Sequence, residues 1–462
     1  MMMVSQVADV LGASLYGDDV LMTGVSKDTR DIHQGDLYVA LKGERFDGHQ
    51  FVSQAASSGA VAALVSDSQA VDVTQIEVAD TRIALGQLAA HWRQTLSGKL
   101  IGITGSNGKT SVKEMCKTIL SAYAGESAVL STRGNLNNDI GLPMMLLELK
   151  QQHRFAIIEM GANHMGEIDY LTTIAKPDIA VLNNAGSAHI EGFGSLENIA
   201  RGKAEIFNGL KSDGVAVINL DDKFSSFWQE YCAQHHAGNR VITFSMQDEQ
   251  ANVYAKVLTD NHYLIISNVN DEIEQAELTL KVPGKHNVMN ALAAMAATSA
   301  LGISLKVVTE ALADFENIEG RLTIKQSDRG CQVIDDSYNA NPNSVSAAID
   351  VLAEMKDVKT VLVLGDMAEL GSGGQQMHAE IGKKAKDSGI KTLYATGKLC
   401  ASTVDAFGDN GFYFRDKKKL IAALKKELTG NEVVLVKGSR SAAMEEVVEW
   451  LLSHDNNDKR VN

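Results

Sequence analysis

Ile101-Gly102-Ile103-Thr104-Gly105-Ser106-Asn107-Gly108-Lys109-Thr110 joins an apolar run to a turn of glycines and small polar residues. Residues 100–103 read as a buried strand. Residues 111–122 carry apolar side chains at helical spacing, at Val112, Met115, Cys116, Ile119 and Leu120. Strand, glycine turn, lysine, hydroxyl and helix together make a phosphate cradle. Glycine lets backbone N–H groups approach an anion, and the start of the helix adds positive potential. The strict eight-residue P-loop is not met, because Ile103 stands where its first glycine belongs; the motif is the shorter Gly-x-x-Gly-Lys-Thr. An ordinary glycine-rich turn would explain the glycines. It would not explain a lysine and a hydroxyl at these offsets.

Around this loop, residues 99–315 alternate strand and helix. Strands are expected at 128–131, 156–159, 179–182 and 215–220, and helices at 140–149, 166–174, 196–207 and 288–301. Such alternation predicts a parallel sheet with helices on both faces. Residues 253–282 turn β-rich, which suggests an antiparallel extension. From 316 to 462 the alternation restarts, with strands expected at 331–335, 360–364, 392–395 and 432–436 and helices at 344–355, 376–386, 417–428 and 444–452. This is a second, Rossmann-like open sheet, with ligands expected at the carboxyl ends of its strands. Residues 1–98 read as a small mixed α/β domain with a turn and strand at 35–41 and a helix at 50–58. The fold class is α/β in three domains, and 453–462 read as a frayed polar tail.

Composition is that of an ordinary globular protein, with 45% apolar and 22% charged residues. A net charge of −15 argues against nucleic acid as the main partner. An anionic substrate would need a locally basic pocket. The four cysteines, Cys116, Cys232, Cys331 and Cys400, have neither metal nor disulfide spacing, which fits a reducing compartment. There is no signal-like amino terminus and no apolar run of membrane length, so a cytoplasmic protein without membrane insertion is expected.

Several polar residues stand where chemistry would need them. Glu159 ends an apolar strand, where an acid can hold Mg²⁺ or simply face solvent. His189 lies in the polar loop after the next strand. Lys203 follows on a helix; by spacing alone it is a surface lysine, but carbamylated by CO₂ it would carry acceptor oxygens toward a metal. Asn135, Asn137 and Asn138 precede a helix, where amides can bind a peptide or cap the helix. Asn290 lies on a helix, Arg321 at the domain junction, and Asp336 at a strand end, where it could accept from a ribose. Asn339 and Asn341 follow Asp336. In the first domain Lys27, Arg30, Lys42 and Arg45 form either an anion pocket or a solvated surface.

The motifs Asn135-Leu136-Asn137-Asn138-Asp139-Ile140-Gly141-Leu142-Pro143, Glu159-Met160-Gly161-Ala162-Asn163-His164 and Asp335-Asp336-Ser337-Tyr338-Asn339-Ala340-Asn341-Pro342 are distinctive. So are Leu364-Gly365-Asp366-Met367-Ala368-Glu369-Leu370-Gly371 and Val436-Lys437-Gly438-Ser439-Arg440. With them the chain resembles the Mur ligases, the ATP-dependent amide-forming enzymes of peptidoglycan precursor synthesis, over residues 26–446. The phosphate loop alone identifies only the superfamily, which also holds folylpolyglutamate synthase. The Asp-Asn-Pro-Arg signature of the sister ligase adding the third residue is absent.

The resemblance implies a ligase adding D-alanyl-D-alanine to UDP-N-acetylmuramoyl-tripeptide, with ATP and Mg²⁺. It implies a UDP-substrate domain at 1–98, an ATP-binding domain at 99–315 and a ligase domain at 316–462. Gly105, Ser106, Asn107, Gly108, Lys109, Thr110 and Ser111 would hold the ATP phosphates. Asn290, Arg321 and Asp336 would complete the nucleotide site. Thr110 and Glu159 would ligate one Mg²⁺; His189 and carbamylated Lys203 would serve a second. Lys109, Lys203, His189 and Arg321 would be catalytic. Ser26, Lys27, Asp28, Thr29 and Arg30, with Phe46, Asp47, Gly48 and His49, would hold the uridine diphosphate end; Asn135, Asn137, Asn138, Asn339 and Asn341 would contact the peptides. Two segments depart from the family's usual look: Gly186-Ser187-Ala188-His189 and Gly202-Lys203-Ala204-Glu205. Neither loses a functional side chain. A monomer is expected.

Overall fold

The computed structural model describes residues 1–269 and 272–453. Of the expected polar tail, all but Ser453 lies outside them. The described residues form three sheets of five, nine and six strands and a two-stranded ribbon. In the five-stranded sheet, Gly24–Ser26, Asp36–Val39, Ala62–Val65 and Thr74–Glu77 run parallel, and Ser14–Tyr16 closes the edge antiparallel. The helix expected at 50–58 opens with a tight turn, Gly48–Phe51, capped by Asp47, and continues as Val52–Ser57. The helix Thr81–Gln94 buries Ala84, Leu85, Leu88 and Ala89. These side chains share one core with Ile158 of the next sheet and with Leu142 and Leu171 on helices that cover it. Residue 98 therefore marks a change of sheet, not a break in the core.

Third from one edge of the nine-stranded sheet is β1 (Lys99–Thr104), which leads through the glycine loop into α1 (Lys109–Ala124). It lies between β2 (Phe155–Glu159) and β3 (Ile179–Leu182), parallel to both. Side chains alternate across it: Leu100, Ala156 and Ile158 face the core shared with the first sheet, while Ile101, Ile103 and Ile157 face α1 and α3 (Lys285–Ser299). Each such isoleucine side chain contributes about 2 kcal/mol through burial. Between β3 and α3 lies α2 (Leu196–Ala204), shorter than expected because the chain tightens into a 3₁₀ segment, Glu205–Gly209. The β-rich stretch at 253–282 extends the sheet with antiparallel strands as expected, but it joins the sheet through a parallel contact. Val253–Thr259 pairs parallel with Arg240–Ser245 over two residue pairs, and only the next two strands run antiparallel. The side chain of Asn252 accepts from the Thr243 N–H and hydroxyl, pinning that short parallel contact.

In the six-stranded sheet, β4 (Gln332–Asp336) feeds α4 (Pro342–Ala353), followed by β5 (Lys359–Gly365) and later β6 (Glu432–Lys437). The spatial order β4–β6–β5 is parallel throughout. The three polar loops singled out in the sequence thus emerge from adjacent strand ends, as expected of a shared site. All four cysteines are buried and free, and burial pushes their thiols up. No helix among the described residues is long and apolar enough to cross a membrane.

Candidate active site

A cavity of about 1300 Å³ opens between the central and last domains, with the start of the helix Thr81–Gln94 at its edge, and the glycine loop lines it. Gly108 has φ 79°, and a Cβ there would fall 2.2 Å from Asn290 Oδ1 and 2.6 Å from Asn183 Nδ2. Only glycine fits, because the loop is pressed against α3 and the end of β3. Asn183 donates to Asn290 Oδ1 (2.9 Å) and to the Asn107 carbonyl (3.0 Å), and Asn184 Oδ1 accepts from Asn107 N–H (2.9 Å). Asn290 therefore braces the loop from behind while also lining the cavity. Ser106 donates to the Gly186 carbonyl, and Ser111 is buried in the first turn of α1.

Lys109 Nζ donates to the Gly105 carbonyl at 2.7 Å, across the cradle it would close. Burial lowers its pKa, with Glu159 opposing and Arg321 assisting that shift. The Thr110 hydroxyl donates to Glu159 Oε2 (2.9 Å) and accepts from Arg321 (2.9 Å). Asn137 Nδ2 holds the other Glu159 oxygen at 2.8 Å. A hydroxyl and a fixed carboxylate side by side at a strand end form a hard-oxygen donor set that fits Mg²⁺.

The second candidate metal pair is different. Lys203 is 1% exposed, and among the described residues its Nζ has no hydrogen-bond partner. It lies 5.6 Å from the centre of the Phe193 ring. A Cβ on Gly202 would come within 2.6 Å of that ring, so the glycine before Lys203 lets the helix close on Phe193. Burial, reinforced by the charge of Lys109, pushes the Lys203 pKa down to about 7. His189 adopts φ 59° and lies against the Glu369 carboxylate. Burial lowers its pKa. The imidazole suits a divalent ion; an ammonium does not, and Lys203 fits only if its charge is inverted.

The last domain reaches the glycine loop directly. Asn341 caps α4 and donates to Asn107 Oδ1 at 2.7 Å, and Asn343 accepts from Ser187 N–H and hydroxyl. Arg321 lies 4.4 Å over the Tyr338 ring. Asp336 pairs with Lys437 Nζ at 2.6 Å, and Lys437 also donates to the Asn339 carbonyl. Burial raises the Asp336 pKa, against the pull of Lys437 and Arg321. Asn135, Asn138 and Asn339 line the cavity, but Asn138 Oδ1 accepts from Gly141 N–H and so caps the following helix.

Ser26 to Arg30 and Phe46 to His49 do not line this cavity. They gather instead around Tyr38. Ser26 pairs with Tyr38 in the sheet, and the Tyr38 hydroxyl donates to the Gly48 carbonyl at 3.0 Å. Burial, then the charges of Asp28 and Asp47, push the Tyr38 hydroxyl up to about 12. Arg30 holds the Asp28 carboxyl well below the usual range, and His49 lowers Asp47 through a 2.6 Å contact. Lys27 and Arg30 are exposed, Thr29 is half-buried, and Phe46 stacks on Phe51.

Sequence reasoning assigned no role to Tyr38, Asn183, Tyr338, Lys437 or Glu369. The last three lie in motifs already singled out, so the position was visible but the partner was not.

Three family descriptions match in succession: the Mur ligase family catalytic domain at residues 21–93, the Mur ligase middle domain at 103–298, and the Mur ligase glutamate ligase domain at 320–440. The chain belongs to the Mur ligase family. It is 42% identical, over 97% of its length and 98% of the relative's, to the UDP-N-acetylmuramoyl-tripeptide–D-alanyl-D-alanine ligase of Escherichia coli K12. A crystal structure of MurF from Acinetobacter baumannii superposes with a TM-score of 0.89 at 34% identity, covering 98% of each chain. The Thermotoga maritima MurF ligase, solved in complex with ADP, gives a TM-score of 0.80 at 27% identity, covering 94% of this chain and 98% of that one.

Proposed function

We propose that this Mur ligase joins D-alanyl-D-alanine to UDP-N-acetylmuramoyl-tripeptide, using ATP and Mg²⁺, in peptidoglycan precursor synthesis. The observation that carries the reading is end-to-end likeness to ligases of that name, 42% identical across 97% of the chain in one case. The reaction has two steps. The terminal carboxylate of the tripeptide attacks the γ-phosphorus of ATP, giving an acyl phosphate and ADP. The free amine of D-alanyl-D-alanine then attacks the acyl carbon, expels phosphate and leaves an amide.

Each domain has a part. Residues 1–98 hold the uridine diphosphate end, with Ser26 to Arg30 and Phe46 to His49 around Tyr38. Residues 99–315 hold ATP. Residues 316–462 supply Arg321, Asp336 and the Asn339 to Asn341 loop. Lys109 and the loop amides orient the phosphates and offset negative charge as the γ-phosphoryl group leaves ADP. Arg321, stacked on Tyr338 and bonded to Thr110, brings a second positive charge there. Thr110 with Glu159, and His189 with Lys203, would hold the Mg²⁺ ions, which neutralise phosphate charge when bound.

Lys203 serves as its carbamate. Its buried amine, with a pKa of about 7, is substantially unprotonated at neutral pH and nucleophilic. The nitrogen lone pair adds to the carbon of CO₂ and a proton leaves to solvent, converting a cation into an anion with two acceptor oxygens.

Phosphate release with different acceptors tests the assignment. D-Alanyl-D-alanine is expected to stimulate release in the presence of the UDP-tripeptide, with a ligated product of the summed mass less water. Stimulation by glutamate on a folate acceptor instead, or release with no acceptor at all, would contradict it.

A further inference from the structure

The loop at residues 365–371 leaves β5 next to the domain junction and is braced from within. Asp366 Oδ1 accepts from Leu399 N–H (3.0 Å) and Cys400 N–H (2.9 Å), and its backbone carbonyl accepts from Ser439 N–H (3.0 Å). Met367 N–H donates to His378 Nε2 (3.1 Å), while His378 Nδ1 donates to the Gly374 carbonyl (2.7 Å). Met367, His378 and Cys400 are fully buried. Asp366, His378 and Cys400 approach one another as metal ligands do. Both histidine nitrogens are already engaged, however, so the cluster stiffens the loop.

What the loop presents is Glu369. Its backbone is left-handed, with φ 60°, an unusual conformation for a glutamate. Its side chain is 54% exposed and lies against Nδ1 of His189, whose own φ is 59°. Two non-glycine residues in the left-handed region thus meet across the domain junction. Next to this contact, Glu191 N–H donates to the Glu369 carbonyl at 3.2 Å, which ties the backbone of the His189 helix to the same loop. Nδ1 of His189 is buried and makes no well-aligned hydrogen bond among the described residues; the Glu369 carboxylate is the charged group that lies against it. A carboxylate on one imidazole nitrogen fixes the tautomer and ring direction of a histidine that offers the other nitrogen to a metal.

We propose that Glu369 is a positioning residue that the last domain lends to the central site: its carboxylate accepts the Nδ1–H of His189 and leaves the Nε2 lone pair free for Mg²⁺. The proposal rests on His189 being a metal ligand. It also makes the orientation of that ligand depend on the docked last domain.

The test uses full-length enzyme with ¹⁵N-labelled histidine rings and a non-hydrolysable ATP analogue, with His189 assigned by comparison with His189→Gln. The wild type is expected to show the Nδ1–H tautomer and broadening of the His189 ring signals by Mn²⁺. Glu369→Ala is expected to mix the tautomers and to raise the Mg²⁺ concentration for half-maximal ligation by about 10- to 100-fold. Glu369→Gln, whose amide carbonyl can still accept, is expected to recover most of both. Broadening in the wild type, with an unchanged tautomer and Mg²⁺ dependence in Glu369→Ala, overturns the proposal alone. No broadening in the wild type removes His189 from the metal, and the proposal with it.

Discussion

Two lysines, Lys437 in the last domain and Lys203 in the central one, are buried, and they differ in one respect. Lys437, at the end of β6, is 2% exposed and spends its charge on Asp336 and the Asn339 carbonyl. Lys203, on α2, is 1% exposed, and among the described residues its Nζ has no hydrogen-bond partner, only the face of the Phe193 ring. A buried ammonium is stable only when paired. Lys437 is therefore explained as structure: it ties the loop after β4 to the loop after β6. Lys203 makes no sense as a structural cation. The lack of a partner, with a pKa drawn down to about 7, is what a lysine awaiting a covalent change would look like. Burial by itself thus says little about role; what decides is whether the charge has been matched.

The largest expected effect comes from the unmatched lysine. Lys203→Ala should lose ligation by on the order of 10³-fold, with partial recovery in high acetate or bicarbonate if a free carboxylate can enter the vacated space. Full activity in that variant would remove Lys203 from the site. Next, the two lysines should separate in stability. Lys437→Met leaves Asp336 buried without its partner and should cost about 3 kcal/mol in denaturant unfolding. Lys203→Met removes an unpaired charge and should cost nothing. Equal losses would erase the contrast.

A pH series sharpens the same point. In CO₂-free buffer the folded-state pKa of Lys203 lies near 7, below its ordinary value of 10.5. The unfolded chain binds more protons between those values, so stability should rise with pH from about 7 to 10.5. The penalty for the buried charge should be fully present below pH 7. Lys203→Met should lose that part of the slope. The smallest effect belongs to the first domain, far from both lysines. Asp47→Ala should raise the KM for the UDP-tripeptide about 10-fold by freeing His49, while nucleotide affinity measured by calorimetry stays unchanged.

The fold was largely legible because its signals are local. The strand before the glycine loop and its two parallel neighbours are apolar runs, and the helix after the loop carries helical spacing. The parallel entry of Val253–Thr259 was not legible, since it depends on Asn252 reaching across to Thr243. The candidate site was legible as motifs but not as pairings. That Asp336 meets Lys437, that Asn341 reaches Asn107 and that Glu369 lies against His189 each depend on how the last sheet docks. The isolation of Lys203 was equally invisible: by spacing it reads as a surface lysine, and only the closeness of α2 to Phe193, permitted by Gly202, buries it.

The most direct measurement is ¹³C NMR of the enzyme equilibrated with ¹³C-bicarbonate. A protein-bound carbamate signal is expected in the wild type, absent from Lys203→Ala and lost from the wild type on acidification. A wild-type spectrum with no signal beyond that of Lys203→Ala would contradict the carbamate on Lys203.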